Sequence, residues 1–154
     1  MKYIPVIISI AIAQGAGVIG SFFTVSGVAT WYTTIVKPEW NPPSWVFGPV
    51  WITLYTLMGI AAYLIWQNKE KRGAKAALIV YGVHLALNAL WSILFFGLQN
   101  PGAAFAEIII LLIFITATLI LFWRVHKMAG VLLLPYLAWV SFAAYLNYAI
   151  WTLN

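Results

Sequence analysis

Five long apolar segments make up most of this chain, and they constrain its fold more than any other feature. A helix needs about 20 predominantly apolar residues to cross the hydrocarbon core of a bilayer. The segments that meet this length are Ile4–Phe23, Val46–Trp66, Ala76–Leu98, Ala103–Val125 and Val131–Trp151. Except for the long segment 24–45, the connections between them are short, which leaves no room for a second domain. The sequence therefore predicts an all-α membrane protein, a five-transmembrane-helix bundle that forms one domain over residues 1–154.

The charge content argues against a soluble domain. Only 7% of the 154 residues are charged, whereas a soluble domain carries roughly 25%. The basic residues lie in short loops and form no stripe along which a phosphate backbone would bind, so nucleic acid is not an expected partner. The chain has no cysteine, which excludes disulfides, thiolate metal sites and cysteine nucleophiles. The lipid bilayer is the expected solvent.

The basic residues are distributed unevenly between the two ends of the predicted spans. Lys37 alone lies on the side of the long segment 24–45. The other seven lie on the side of the N-terminus: Lys2, Lys69, Lys71, Arg72, Lys75, Arg124 and Lys127. By the positive-inside rule, the N-terminus is predicted to be cytoplasmic, and the C-terminus and the long segment to lie outside.

Small residues recur at four-residue spacing in the first span. They are Ala13, Gly17 and Ser21, with Ala16 and Gly20 beside them. Such spacing allows two helix backbones to approach closely in lipid. Packing within the bundle and a homodimer interface are both open, and Gly82 with Ala86 in the third span offers a second face of this kind.

Several aromatic and polar residues lie inside the spans, away from the interfaces where tryptophan and tyrosine usually serve as anchors. Residues three or four positions apart share one face of a helix. Such faces carry Trp51 and Tyr55 in the second span, His84, Asn88, Trp91, Ser92 and Phe95 in the third, and Pro135, Trp139, Ala143 and Asn147 in the fifth. Most of them fall in the half of the membrane beneath the long segment. This pattern predicts a tryptophan-rich pocket for a flat hydrophobic ligand.

Each polar residue in the spans also has a structural interpretation. Asn88, Ser92 and Asn147 either line the pocket or form hydrogen bonds between helices. Glu107 is either an interfacial carboxylate that reaches toward water or a partner of the long segment. For His84 we expect a neutral imidazole bonded to a neighbouring helix and not a haem ligand, and we predict no metal site.

The segment from Trp31 to Trp45 is dense in aromatic residues and proline. Proline lowers the entropy of the free chain, so a segment of this composition can stay ordered without regular structure. A flexible linker would be polar and rich in glycine and serine. The segment is therefore predicted to be a lid over the pocket.

The chain resembles the translocator protein family, also called tryptophan-rich sensory proteins or peripheral benzodiazepine receptors. The resemblance covers nearly the whole chain. It rests on three groups of residues: Trp31, Tyr32, Lys37, Pro38, Trp40, Pro42, Pro43, Phe47, Pro49 and Trp51; Asn88, Trp91, Ser92, Phe95 and Phe96; and Pro135, Tyr136, Trp139, Phe142, Ala143, Leu146 and Asn147. Glu107 falls where relatives carry a carboxylate.

The resemblance implies a five-helix bundle, often a homodimer, that binds porphyrins such as protoporphyrin IX and haem, and isoquinoline carboxamides. The residues implied to bind ligand are Tyr32, Trp51, Asn88, Trp91, Ser92, Trp139 and Ala143. For bacterial relatives it implies light- and oxygen-dependent porphyrin degradation, with Trp51 and Trp139 as the matching tryptophans. The sterol motif of animal relatives is incomplete here, because no Lys or Arg follows Tyr148.

Conventional catalysis has little support in the sequence. The acidic residues are Glu39, Glu70 and Glu107, and no phosphate loop, zinc motif or nucleophile–base pair occurs at a recognisable spacing. Three functions compete: a porphyrin-binding sensor or scavenger, with or without photochemical degradation of the porphyrin; a transporter of porphyrins or other lipophiles such as sterols; and a structural membrane protein. We expect no obligatory cofactor.

The absence of cysteine makes the predicted orientation testable by single-cysteine labelling. Ser44→Cys should react with a membrane-impermeant maleimide on intact cells, whereas Gly73→Cys should react only after permeabilisation. The reverse labelling pattern would overturn the orientation derived from the basic residues.

Overall fold

The computed structural model describes residues 3–154 as five long helices, with no β-strand in that range. The helices are α1 (Ile4–Ala29), α2 (Phe47–Gln67), α3 (Ala74–Ser92), α4 (Pro101–Val125) and α5 (Lys127–Leu153). All five are long and apolar enough to cross a membrane. The prediction of an all-α membrane protein with five spanning helices is therefore confirmed. Lys2, one of the seven basic residues counted above, lies outside the described residues.

In cross-section the helices form a closed ring in the order α1, α2, α5, α4, α3. This order follows from the packing, because α1 contacts α2 and α3, α4 contacts α3 and α5, and α5 also contacts α2. The interior of the ring is filled by fully buried side chains that include Met58, Ile65, Ile115, Leu133 and Tyr136. α2 and α3 are consecutive in sequence but are not adjacent in the ring. α2 therefore packs mainly against α1 and α5, and α3 mainly against α4 and α1.

Helix α1 is longer than predicted. It continues past Phe23 to Ala29, so residues 24–29 are helical and the predicted loop 24–45 is shorter. The hydroxyl groups in this stretch donate to carbonyls of the same helix, Thr24 to Gly20 O and Thr30 to Ser26 O. A Ser- and Thr-containing stretch that bonds to its own backbone can stay helical in lipid, which the polarity alone did not indicate.

The connection between α4 and α5 is also shorter than predicted. Of the segment 126–130, only His126 has extended backbone, with φ −153° and ψ 112°, and α5 begins at Lys127. At the other end of α4, Asn100 caps the helix, because its side-chain oxygen accepts a hydrogen bond from the amide of Ala103. Residues 101–102 are therefore helical as well.

A π-helical turn, Ile93–Gly97, extends α3 toward the segment that joins α1 to α2. The amide of Leu98 bonds to the carbonyl of Ile93 at 2.8 Å, which accommodates one extra residue in the turn. π-turns inside helices occur frequently at functional sites. This π-turn carries Phe95 and Phe96. The segment that joins α1 to α2, residues 30–46, is called the lid below.

Most of the small residues of α1 pack inside the bundle, although Ser21 is exposed. Ala13 is fully buried. A side chain at Gly17 would collide with the ring of Tyr55, and one at Gly27 with Phe96. These contacts support packing within the bundle for this face, whereas Gly82 of α3 is exposed and has no neighbour within 4 Å of an added Cβ. The homodimer remains a prediction.

A close approach between the backbones of α1 and α2 lies in the half of the bundle away from the lid. A Cβ added to Gly59 of α2 would lie 2.5 Å from the Cα of Ile10 in α1, and the hydroxyl of Ser9 donates to the carbonyl of Gly59 at 2.7 Å. Gly59 therefore fixes the distance between α1 and α2.

This contact predicts that Gly59→Ala destabilises the protein. Overpacking of this kind costs about 1–3 kcal/mol, because the backbone of α1 must move. The thermal midpoint in detergent should fall for Gly59→Ala. Gly82→Ala is the matched control, because it makes the same change in a spanning helix with open space around it, and its midpoint should stay the same or rise. Equal midpoints for both variants would contradict the prediction.

Candidate functional site

A cavity of about 560 Å³ lies at the lid end of the bundle. Its walls come from four helices, α1, α2, α3 and α5, and the lid contributes Tyr32 and Ser44. Small-molecule sites in proteins typically measure about 300–1,000 Å³. The cavity is therefore large enough for a single ligand of that class.

All eight residues predicted to bind ligand line this one cavity. They are Tyr32, Trp51, Asn88, Trp91, Ser92, Trp139, Ala143 and Asn147. They come from the lid, α2, α3 and α5, so the fold brings together residues that are far apart in the chain. Their role in binding remains a prediction, and the geometry establishes only that they converge.

The rings in the walls are held by contacts with one another. Trp51 stacks on Tyr55 with 5.5 Å between ring centroids, and Trp91 stacks on Phe95 at 5.1 Å. Trp139 meets Phe47 edge-on at 6.0 Å. Aromatic pairs at these separations stabilise one another by about 0.5–1.5 kcal/mol beyond burial. The walls are therefore preorganised flat surfaces.

The polar floor of the cavity consists of Tyr55 and Asn88, and Tyr136 supports Asn88 from outside the lining. The hydroxyl of Tyr55 donates to Oδ1 of Asn88, and Nδ2 of Asn88 donates to the hydroxyl of Tyr136 at 2.9 Å. These bonds connect α2, α3 and α5 through one amide. An amide has two N–H groups and two lone pairs, so Asn88 retains one of each for a ligand.

Asn147 connects three helices in the same way. Its Oδ1 accepts a hydrogen bond from the indole N–H of Trp91 at 3.0 Å, and its Nδ2 donates to the carbonyl of Pro101 at 2.7 Å. Of the two interpretations of Asn147 left open above, interhelical bonding is therefore present in the structure. A contact between Asn147 and a ligand stays a prediction.

The cavity offers hydrogen-bond donors but no charge. None of its lining residues is acidic or basic. Within residues 3–154, neither the indole N–H groups of Trp51 and Trp139 nor the hydroxyl of Ser92 forms a hydrogen bond. These three donors are available to an acceptor on a ligand.

The lid closes one end of the cavity and is held by its own polar contacts. The hydroxyl of Tyr32 donates to Oδ1 of Asn41 at 2.7 Å, and Nζ of Lys37 donates to the carbonyl of Tyr32 at 2.6 Å. Burial raises the pKa of Tyr32 to about 12, although the hydrogen bond with Asn41 opposes this shift. Tyr32 is therefore a neutral donor at physiological pH.

The lid is also fastened to α5. The side chain of Asn154 forms two hydrogen bonds with the backbone of Val36, each 2.9 Å long. Trp40 stacks on Tyr145 of α5, with 4.9 Å between ring centroids and 12° between the planes. The segment is ordered without long helices or strands, which agrees with its interpretation as a lid.

The wall formed by α1 was not predicted. It contains Gln14, Gly17, Val18, Gly20, Ser21, Thr24, Val25, Val28 and Ala29. Most of these residues are small or aliphatic, and in the sequence they indicate only close packing. Tyr55, which bonds to Asn88, also lines the cavity. The sequence placed it on the same helix face as Trp51 but not among the ligand-binding residues.

Two other polar residues in the spans lie outside the cavity lining. Nδ1 of His84 pairs with Oγ1 of Thr118 in α4 at 3.2 Å, and that hydroxyl donates to Phe114 O, so His84 is the donor in its own pair. The expected interhelical bond of His84 is confirmed. Glu107 is buried and its carboxylate has no partner within residues 3–154, so neither interpretation of it was correct.

Comparison with known proteins identifies the family. The model of the TspO/MBR family matches residues 9–152. Tryptophan-rich protein TspO of Archaeoglobus fulgidus is 44% identical over 154 residues, which is 100% of this chain and 99% of that protein. The human translocator protein is 40% identical over 138 residues, 88% of this chain and 82% of its own length. The tryptophan-rich sensory protein of Cereibacter sphaeroides is 40% identical over 124 residues, 80% and 77% of the two chains. The chain therefore belongs to the TspO/MBR family of multi-pass integral membrane proteins.

Proposed function

We propose that this protein binds porphyrins, such as protoporphyrin IX and haem, and similar flat hydrophobic ligands in the cavity at the lid end, and acts as a sensor or scavenger. The observation that carries the proposal is the lining itself, in which stacked aromatic rings surround an uncharged space with free donors. Isoquinoline carboxamides are flat and aromatic as well, and we assign them to the same cavity. A homodimer is expected from the resemblance alone.

The chemistry of a porphyrin matches the lining. A large flat π-system can stack on the rings of Trp51, Trp91 and Trp139, and each such contact adds about 0.5–1.5 kcal/mol beyond burial. The free donors of the lining can bind an acceptor at the edge of the ligand. Because no lining residue is cationic, the carboxylates of a porphyrin must lie where water or lipid headgroups reach them.

Haem would be held in this cavity by contacts with its macrocycle and not by coordination of its iron. The lining contains no His, Met, Cys or Lys. Its phenols, Tyr32 and Tyr55, both donate their hydroxyl hydrogens to asparagine oxygens. The residues that would hold the ring are thus the stacked aromatics, and none is placed as an axial ligand.

Transport of porphyrins or other lipophiles, such as sterols, is the alternative, suggested by the name of the human translocator protein. Many transporters contain repeats and broken helices at the midplane, where the two access routes alternate. Within the described residues, the helix interior that contains a proline is that of α5, at Pro135. α5 continues through this proline without a break. Flux of protoporphyrin IX across proteoliposomes, above the leak of protein-free vesicles, would favour transport over binding.

Binding through the floor of the cavity predicts the effect of Asn88→Leu. Protoporphyrin IX should quench intrinsic tryptophan fluorescence saturably, and the variant should bind at least several-fold more weakly. A lost hydrogen bond that leaves a buried group unpaired costs about 1–3 kcal/mol. Because Asn88 also holds Tyr55 and Tyr136, circular dichroism must show that the variant is folded.

Asn68→Leu is the matched control for this measurement. Asn68 follows α2 at the opposite end of the bundle, where its Nδ2 donates to the carbonyl of Leu64. Its variant should bind like the parent. Parent-like binding by a folded Asn88→Leu variant would remove Asn88 from the ligand contacts.

We further propose that Trp51 and Trp139 serve as electron or hydrogen-bond donors to a photoexcited porphyrin during its light- and oxygen-dependent degradation. The unpaired indole N–H groups and the position of both rings in the lining support this role. Trp51→Phe and Trp139→Phe keep an aromatic face, so most of the affinity for protoporphyrin IX should remain. Phe lacks the indole N–H and is much harder to oxidise, so illumination in oxygen should yield no new absorbing product.

Trp123→Phe is the control for the photochemical experiment. Trp123 lies near the end of α4, outside the cavity lining, and its side chain packs against Gly130. This variant should form the same product as the parent. Equal product from all variants would leave a binding protein without tryptophan chemistry, and equal product from porphyrin in detergent alone would exclude specific photochemistry.

A further inference from the structure

We propose that ligands enter and leave the cavity sideways from the membrane, through an opening between α1 and α2, while the lid stays closed. This inference rests on the proposed function, since it requires a ligand that dissolves in the bilayer. It adds the route, and with it the residues that set the rate of exchange.

The opening is defined by residues that line the cavity and are also exposed on the outside of the bundle. On α1 they are Val18, Ser21, Val25 and Ala29, and on α2, including the turn before it, they are Ser44, Gly48 and Ile52. Side chains on the rim such as Val25 and Ile52 are 70% and 61% exposed. From Val18 to Ala29 the rim extends roughly 16 Å along α1. The cavity thus meets the outer surface of the bundle within its spanning part.

On the side of this opening that is away from the lid, the same two helices are joined by hydrogen bonds and close packing. Nε2 of Gln14 donates to the carbonyl of Ile52 at 2.9 Å and to Oγ1 of Thr56 at 3.0 Å. Farther from the lid, Ser9 and Ile10 of α1 contact Gly59 of α2, as described above. Beyond Gln14 toward the lid, no hydrogen bond joins α1 to α2 within residues 3–154. The seam between α1 and α2 is therefore closed over one half of its length and open over the other.

The rim of the opening suits hydrocarbon. Val18, Val25 and Ile52 are aliphatic, and the hydroxyl of Ser21 donates to the carbonyl of Val18, so it presents no unpaired donor to lipid. A flat hydrophobic molecule in the adjacent leaflet can enter without transfer through water. Its polar edge can remain at headgroup level, because the opening reaches the lid end of the helices.

The alternative route, from water and beneath the lid, is obstructed by several contacts. A ligand that passed under the lid would have to break the hydrogen bonds of Tyr32 with Asn41 and of Asn154 with Val36, and the stack of Trp40 on Tyr145. It would also have to leave the membrane. The two routes therefore depend on different residues, and substitutions can separate them.

The test compares rates of protoporphyrin IX binding and release in nanodiscs, followed by tryptophan quenching. In Gly48→Phe the new side chain projects into space that is empty within 4 Å of its Cβ, and it narrows the opening. Both rates should fall several-fold. In Ile52→Ala the opening is wider, so both rates should rise. Gly82→Phe is the matched control, because Gly82 has the same free space on α3 but lies outside the cavity, and its rates should equal those of the parent.

Asn154→Ala tests the other route, because it removes both hydrogen bonds between α5 and Val36. Parent-like rates in this variant, together with slower exchange in Gly48→Phe, support lateral access. Faster exchange in Asn154→Ala with parent-like rates in Gly48→Phe and Ile52→Ala would overturn it. Absence of saturable quenching in the parent would instead overturn the proposed function, and the inference with it.

Discussion

Lipid tails are as apolar as leucine, so burial of apolar side chains does not hold these five helices together. Close packing and a small number of interhelical hydrogen bonds must do so. The approach of Gly59 to Ile10 sets the distance between α1 and α2. Asn88 and Asn147 each connect three helices through a single amide. The arrangement of the bundle, and hence the cavity, depends on these few contacts.

The cavity exists because the ring of helices is joined unevenly. Near Gly59 the backbones of α1 and α2 touch, whereas toward the lid the cavity separates them. The amides that join the helices also form part of the cavity lining. A substitution at Asn88 or Asn147 therefore changes packing and site together, which is why folding must be measured beside binding.

The sequence predicted those parts of the site that have a recognisable chemical pattern. Asn88, Trp91 and Trp139 stand out because polar and aromatic side chains recur on one face of a helix inside an apolar span. The end of α1 was placed too early, because serine and threonine can bond to their own helix as well as mark a loop. Glycine and alanine on α1 indicate a close neighbour but do not identify it, so the α1 wall and its opening could not be predicted from the sequence. That Glu107 is buried without a hydrogen-bond partner among residues 3–154 is also a property of the packing, which no local pattern encodes.

The order of the helices around the ring has a consequence for biosynthesis. α5 is made last, yet it closes the ring between α2 and α4 and supplies Trp139, Ala143 and Asn147 to the cavity. Until α5 is inserted, the Asn88 side chain lacks Tyr136 and the indole N–H of Trp91 lacks its acceptor, Asn147. A nascent chain of four helices therefore has most of the mass of the bundle but no enclosed site. Enclosure of the cavity therefore requires that the fifth helix has packed between α2 and α4.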